Sequence, residues 1–226
     1  AASPRLLFDQ VYLPDGSSSS EILGVGPHPV GGPGFDLHWM VWNEGSGVWR
    51  PSTNLELPSQ AWSSSCSSPS SLSPGESDII ECLVVIPEDE PAGSEPVITL
   101  VMDGDGIEIR DTKSLLVENA PRLSWNLNTE PIAHEGYPSS YRIDVTNTGN
   151  TDISHTLDVV APSSWDARAI DGVRVVLSPG ESRSVILEFT PHSGSDGTIS
   201  LNLINAPDTE GSTFEIPVDV KPSLGG

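Results

Sequence analysis

The chain is nearly without lysine: Lys113 and Lys221 stand beside eight arginines, ten basic residues against 32 Asp and Glu, for a formal charge of −22. Phosphate backbones are held by clustered Lys and Arg, so this deficit excludes nucleic acid as a partner. It argues equally against docking on anionic lipid. Long hydrophobic runs are missing too. The longest apolar stretch, Leu83 to Ile86, is strand-sized and far short of the roughly 20 residues that span a bilayer. No signal-peptide or lipidation pattern occurs, so any signal or anchor of a longer parent is expected outside this segment. No window sustains a 3.6-residue period, which predicts almost no helix. None of the asparagines opens an Asn-x-Ser/Thr sequon.

Catalytic signatures are absent as well. His28, His38, His134, His155 and His192 lie scattered, without the H-E-x-x-H or any other metal-ligand spacing. Serine is abundant, yet no G-x-S-x-G elbow occurs. There is no phosphate loop, and no carboxylate pair stands out from the acidic background. The expectation is a non-enzyme with no cofactor and no catalytic residues.

What the chain does contain is a repeat. The hexapeptide LSPGES occupies Leu72 to Ser77 and recurs letter for letter at Leu177 to Ser182. Other residues recur at a nearly constant offset. Asn43-Glu44-Gly45 answers to Asn147-Thr148-Gly149, and Pro58-Ser59-Gln60-Ala61-Trp62 to Pro162-Ser163-Ser164-Trp165. Pro87 answers to Pro191, and Pro4-Arg5-Leu6 to Pro121-Arg122-Leu123. Such self-similarity marks repeated structural units. The organisation read from it is a first domain at 1–119, a second at 120–222, and the opening of a further repeat, or the segment's end, at 223–226. Pro222-Ser223-Leu224 stands where a third unit would begin. The junction VENAPRL is too short for a free linker.

Within each unit the apolar residues alternate. Tyr141, Ile143 and Val145 share one face of YRIDVTN and Arg142, Asp144 and Thr146 the other; Val185, Leu187 and Phe189 share a face of SVILEF. Short alternating runs separated by Gly/Pro turns predict an all-β fold of two tandem sandwiches. In LSPGES, Pro followed by Gly is a type II turn signal, so the hexapeptide is read as a strand-to-strand corner. One residue more separates LSPGES from the next Pro in the first unit, which predicts a β-bulge between Asp78 and Leu83.

The order Asn-x-Gly, Pro-Ser-x-x-Trp, LSPGES and a strand ending in Pro resembles the immunoglobulin-like repeats of prokaryotic surface proteins. The likeness is to CARDB adhesion-type and NEW3 domains. The resemblance covers nearly all of both units, but its motifs are turns and core positions. It implies immunoglobulin-like sandwiches outside the cytoplasm and carries over no functional residue.

Cys66 and Cys82 both fall in the first unit and close one short loop, a placement that favours a disulfide over separate thiols. The first unit also holds an insertion of 13 residues within DGSSSSEILGVGPHPVGGPG, read as an irregular loop. The serine-loaded SQAWSSSCSSPSS is read as solvated. Asp103-Gly104-Asp105-Gly106 predicts a hairpin turn. Asp103 and Asp105 form only a weak calcium candidate, because Ile107 stands where an EF-type loop needs a third oxygen ligand. Carrying the outward set of YRIDVTN back by the repeat offset places His38, Met40 and Trp42 on an outer sheet face. Two readings stay open there: the insertion covers the face with Ile22, Leu23 and Val25, or the face is a contact surface for a neighbouring protomer or domain.

The function expected is a non-catalytic structural or adhesive segment of an extracellular cell-surface protein, archaeal or bacterial. An acidic, lysine-poor surface suits a saline exterior, where salt screens self-repulsion. Alternatives are an accessory module, carbohydrate-binding or spacer, of a secreted glycosidase or protease, which a catalytic domain elsewhere in the parent would mark, and a filament or surface-layer subunit. Partners would be protein, from neighbouring domains or a surface assembly, or an extracellular glycan.

Overall fold

The computed structural model describes residues 1–170, 174–192, 194–223 and 225. Two compact units form, Ala1–Asn119 and Ala120–Gly226. Leu224 and Gly226 of the expected further repeat lie outside the described residues. Among the described residues all regular structure is strand.

Unit 1 comprises β1 (Pro4–Tyr12), β2 (Ser18–Ser19), β3 (Phe35–Asn43), β4 (Ser52–Glu56), β5 (Ser63–Cys66), β6 (Ser77–Val85), β7 (Val97–Gly104) and β8 (Ile107–Ser114). One sheet has the order β2-β1-β3-β6-β5 and the other β4-β7-β8. With the two-residue β2 set aside, these are the A-B-E-D and C-F-G sheets of a constant-type immunoglobulin domain. Unit 2 repeats the plan with β9 (Leu123–Leu127), β10 (Ile132–His134), β11 (Ser139–Asn147), β12 (Ile153–Val160), β13 (Asp166–Ala169), β14 (Arg174–Leu177), β15 (Ser182–Thr190), β16 (Gly197–Leu203) and β17 (Thr213–Lys221). Its sheets are β13-β15-β11-β9 and β10-β17-β16-β12-β14. Each unit is an immunoglobulin-like β-sandwich.

Alternation sets the two inner faces. In unit 1, Phe35, Leu37, Trp39 and Val41 of β3 and Ile80, Cys82 and Val84 of β6 meet Ile98, Leu100 and Met102 of β7 in the core. In unit 2, Tyr141, Ile143, Val145, Val185, Leu187 and Phe189 are buried with Ile199 and Leu201. Burying each such side chain contributes roughly 1.5–3 kcal/mol. Indole N–H groups in the core need acceptors. Trp39 donates to Asp111 Oδ2 at 2.8 Å and Trp49 to the Gly104 carbonyl at 2.8 Å.

The repeated hexapeptide is a type II turn with a second function in the frame. Gly75 and Gly180 take φ of 75° and 81°, and the Glu76 and Glu181 N–H groups donate back to the Ser73 and Ser178 carbonyls at 3.0 and 2.9 Å. The Glu76 and Glu181 carboxylates accept the Ser73 and Ser178 N–H groups at 2.7 and 2.9 Å. The Leu72 and Leu177 carbonyls accept from the amides of Asn43 and Asn147, both at 3.0 Å. The two motifs shared by the units thus bind each other. Both asparagines are fully buried, and each also donates to a nearby carbonyl, Gly47 at 2.7 Å and Thr151 at 2.8 Å.

Three expectations need correction. β3 and β6 pair continuously from Trp42↔Ser77 to Phe35↔Val84, so no bulge falls between Asp78 and Leu83. β11 and β15 pair in the same register, Thr146↔Ser182 to Ser139↔Phe189. The additional residue lies past the strand: Ile86 stands where unit 2 has Pro191, and Pro87 follows it. A bulge does occur in β1, between Phe8 and Gln10. Second, the two Pro-Arg-Leu openings are not equivalent. Pro4 pairs with Asn43, whereas Leu123 pairs with Asn147, so the tripeptides are two residues out of register and Trp125 stands at the place of Leu6.

Third, the insertion is not merely an irregular loop. Its Ser18–Ser19 pairs with Val11–Tyr12, His28 bridges Val117 in parallel, and Val30 bridges Ile86. In unit 2 the corresponding parallel contact is Ala133↔Val220 of β10 and β17, so His28 occupies the place of Ala133. Its ring is fully buried beside Phe35, 5.1 Å between centroids. Nδ1 lies 3.1 Å from the Leu116 amide nitrogen and 3.2 Å from the Leu116 carbonyl, and Nε2 lies 2.8 Å from the Ile22 carbonyl. Burial pushes the His28 imidazole below its usual range, favouring the neutral ring in which Nδ1 accepts the Leu116 N–H and Nε2 donates to Ile22.

Candidate interaction surface

The outer face of the β1-β3-β6 sheet brings together residues that the sequence scatters. Cross-strand pairing makes rows: Arg5–Trp42–Ser77, Leu7–Met40–Ile79, Gln10–His38–Glu81, and Tyr12–Asp36–Leu83. Leu7 is 59 % exposed and Met40 37 %, and Tyr12 and Leu83 are exposed beside them. His38 is half-buried under Tyr12, ring centroids 4.7 Å apart. Trp42 is half-buried between polar groups. Its Nε1 donates to Glu44 Oε1 at 2.9 Å, and the Arg5 guanidinium lies 5.3 Å from its ring centroid. Arg5 Nη1 also donates to Glu44 Oε1 at 3.0 Å. Donation from Trp42, and then from Arg5, holds the Glu44 carboxyl below its ordinary value.

The insertion does not cover this face. Its Ile22 and Val30 are buried, while Leu23 is exposed. It instead flanks the face: Leu7, Phe8, Glu21, Ile22, Leu23 and Lys113 are among the residues lining a cleft of about 430 Å³ along β1. Of the two readings left open for His38, Met40 and Trp42, cover by the insertion is therefore wrong. The insertion's backbone is committed to the ends of the two sheets, at Val117 and Ile86.

The same face of unit 2 differs in chemistry at matched positions. Asn126 stands at Leu7, Asp144 at Met40, Ser184 at Ile79 and Thr146 at Trp42. These polar groups bind one another. Ser184 donates to Asp144 Oδ1, Asn128 donates to Asp144 Oδ2 at 2.8 Å, and Arg142 donates to Ser184 at 2.9 Å. Donation from Ser184, then Asn128, lowers the Asp144 carboxyl from its ordinary value. One fold thus carries an apolar row across the outer face in unit 1 and a self-satisfied polar cluster at the matched positions in unit 2.

The remaining sequence candidates are occupied locally. Cys66 and Cys82 are bonded, directly opposite each other on β5 and β6 with Cα atoms 4.0 Å apart. This bridge lies within one sheet, unlike the inter-sheet disulfide of antibody domains. The hairpin turns at Asp105-Gly106, both with positive φ as a two-residue type I′ turn requires. Asp105 Oδ2 accepts the Arg50 N–H at 2.8 Å, and Asp103 sits in β7 opposite Glu108. Among the described residues no group of three or more His, Cys, Asp or Glu could hold a metal ion. No helix there is long and apolar enough to cross a membrane. The histidines form no cluster: His192 pairs with Asp166 at 2.8 Å, and His134 and His155 lie against the Pro222 and Ile204 carbonyls.

No protein-family model matches the chain, and no curated protein matches it. Solved structures do. The D00-D0 domain of intimin is 10% identical, with 96% of this chain and 100% of that one covered and a TM-score of 0.41. Domains 4 and 5 of the S-layer protein SbsC are 7% identical over 97% and 98% of the two chains, TM-score 0.34. A secreted serine protease, VesC from Vibrio cholerae, is 12% identical over 74% of this chain and 45% of that one, TM-score 0.31. Likenesses this distant carry no residue and no activity over to this chain.

Proposed function

We propose that this chain is a non-catalytic structural or adhesive segment of an extracellular cell-surface protein, built from repeats of the CARDB or NEW3 type. The observation that carries the reading is the repetition of one hydrogen-bonded frame, buried Asn43 with Leu72 and buried Asn147 with Leu177, in two successive sandwiches. Repeating a sandwich multiplies length and surface, which is what projection or lattice contact needs. A disulfide joining the edge strand β5 to its neighbour β6 suits an oxidising exterior. The acidic surface, −22 overall, suits the same place.

An antibody raised against the chain tests this on the source organism. Labelling of intact cells, abolished by mild external proteolysis, is expected. Labelling that requires permeabilised cells overturns the location, and turnover of a glycoside or peptide substrate by the purified chain overturns the non-catalytic reading.

A further inference from the structure

Leu7, Met40 and Ile79 form a row across three adjacent strands, and exposed Leu23 continues it across the cleft beside β1. Unit 2 shows that the fold does not need this. With Asn126, Asp144 and Ser184 at the matched positions, the same sandwich forms. The apolar row is therefore surplus to folding, and its chemistry points outward.

We propose that this face docks a protein segment in which aliphatic side chains alternate with Lys or Arg. The proposal deepens the reading of a protein-contacting surface module and rests on it. Aliphatic groups at the centre favour a protein occupant over a glycan, whose hydroxyls would find no donor or acceptor on Leu7, Met40 and Ile79. Charge selects the kind of protein. The exposed carboxylates Glu81, in the adjacent row, and Asp36, one row further on, lie on the same face, and among the described residues neither makes a salt bridge, whereas Glu44 is held by Arg5. A second copy would bring the same carboxylates against each other in a chain of charge −22. A cationic partner meets them. Three strands about 4.8 Å apart, and four rows about 7 Å apart, give a face of only a few hundred Å². That is below the roughly 800 Å² per partner of a stable interface, so the contact is weak or repeated along an array.

The test uses the whole chain and the synthetic octapeptide Leu-Thr-Lys-Thr-Leu-Thr-Lys-Thr, with Glu replacing Lys in its counterpart, followed by amide NMR shifts. Saturable shifts confined to residues 5–12, 36–42 and 77–83 are expected with the Lys peptide and not with the Glu peptide. The double variant Leu7→Asn, Ile79→Ser takes the residues unit 2 uses and leaves the charge unchanged, and it should weaken binding at least tenfold. Shifts spread over the acidic surface and untouched by the variant would reduce the effect to bulk charge and overturn the proposal. So would the same shifts produced by raising the chain's own concentration, or by a chito-oligosaccharide in place of the peptide. Surface labelling of intact cells is independent of these outcomes, so the docking proposal can fail while the surface-module reading stands.

Discussion

Replacing Asn43 by Ala should destabilise unit 1 selectively. Its Oδ1 accepts the Ser3 and Gly45 N–H groups, both at 3.0 Å, and its Nδ2 donates to the Gly47 and Leu72 carbonyls at 2.7 and 3.0 Å. A hydrogen bond contributes a net ~1 kcal/mol, and a buried group left without a partner costs about 1–3 kcal/mol. The four losses are not equal. The Leu72 carbonyl keeps the Trp49 N–H at 3.0 Å, and the exposed Ser3 can turn to water. Gly45 and Gly47 are the groups left stranded. The sum is about 3 kcal/mol, roughly a fifth to three fifths of an ordinary domain's stability of about 5–15 kcal/mol. Urea unfolding of the full chain, followed by amide peaks of each unit, measures it. Unit 1 should lose about 3 kcal/mol while unit 2 holds, and Asn147→Ala should do the reverse. Asn43→Asp keeps the shape but aims a carboxylate at two carbonyls; it should be at least as damaging at neutral pH and partly relieved by acid. A loss under about 1 kcal/mol, or both units shifting together, would refute the frame as the organising interaction.

Reduction of the Cys66–Cys82 bond should destabilise unit 1 by about 3 kcal/mol in the chain-entropy estimate and leave unit 2 unmoved, as read by denaturation with and without dithiothreitol. His28 is held neutral, its pKa lowered by burial. Its contribution is therefore fully present above the unfolded imidazole value of about 6.5 and lost as pH falls below it. Unit 1 melting measured from neutral to mildly acid pH should drop more steeply than in His28→Ala, which takes the residue of unit 2; parallel curves would contradict this. Millimolar calcium should leave the melting of unit 1 unchanged, because the Asp105 carboxylate already accepts the Arg50 N–H. A rise of several degrees would show that the hairpin binds it after all.

Much of the architecture was legible from local pattern. The period-2 alternation of Tyr141, Ile143 and Val145 assigns a face because side chains in a strand alternate, and the Pro-Gly of LSPGES assigns a turn because glycine alone takes φ > 0 there readily. Repetition then joined the two units, since Asn43 and Asn147 stand at matched places in both. Three things escaped this reasoning. The Pro-Arg-Leu openings match as letters but pair two residues apart, because register is decided by the partner strand. His28 reads as a loop residue, because nothing nearby in sequence reveals that Leu116 and Ile22 will offer its ring a hydrogen-bonded pocket. Leu7 and Ile79 were not associated with Met40, from which they lie some 30 to 40 residues away in sequence. Local sequence determines which face a side chain takes and where the chain turns; only strand pairing determines which distant side chains share a row, and the outer face of unit 1 is made of such rows.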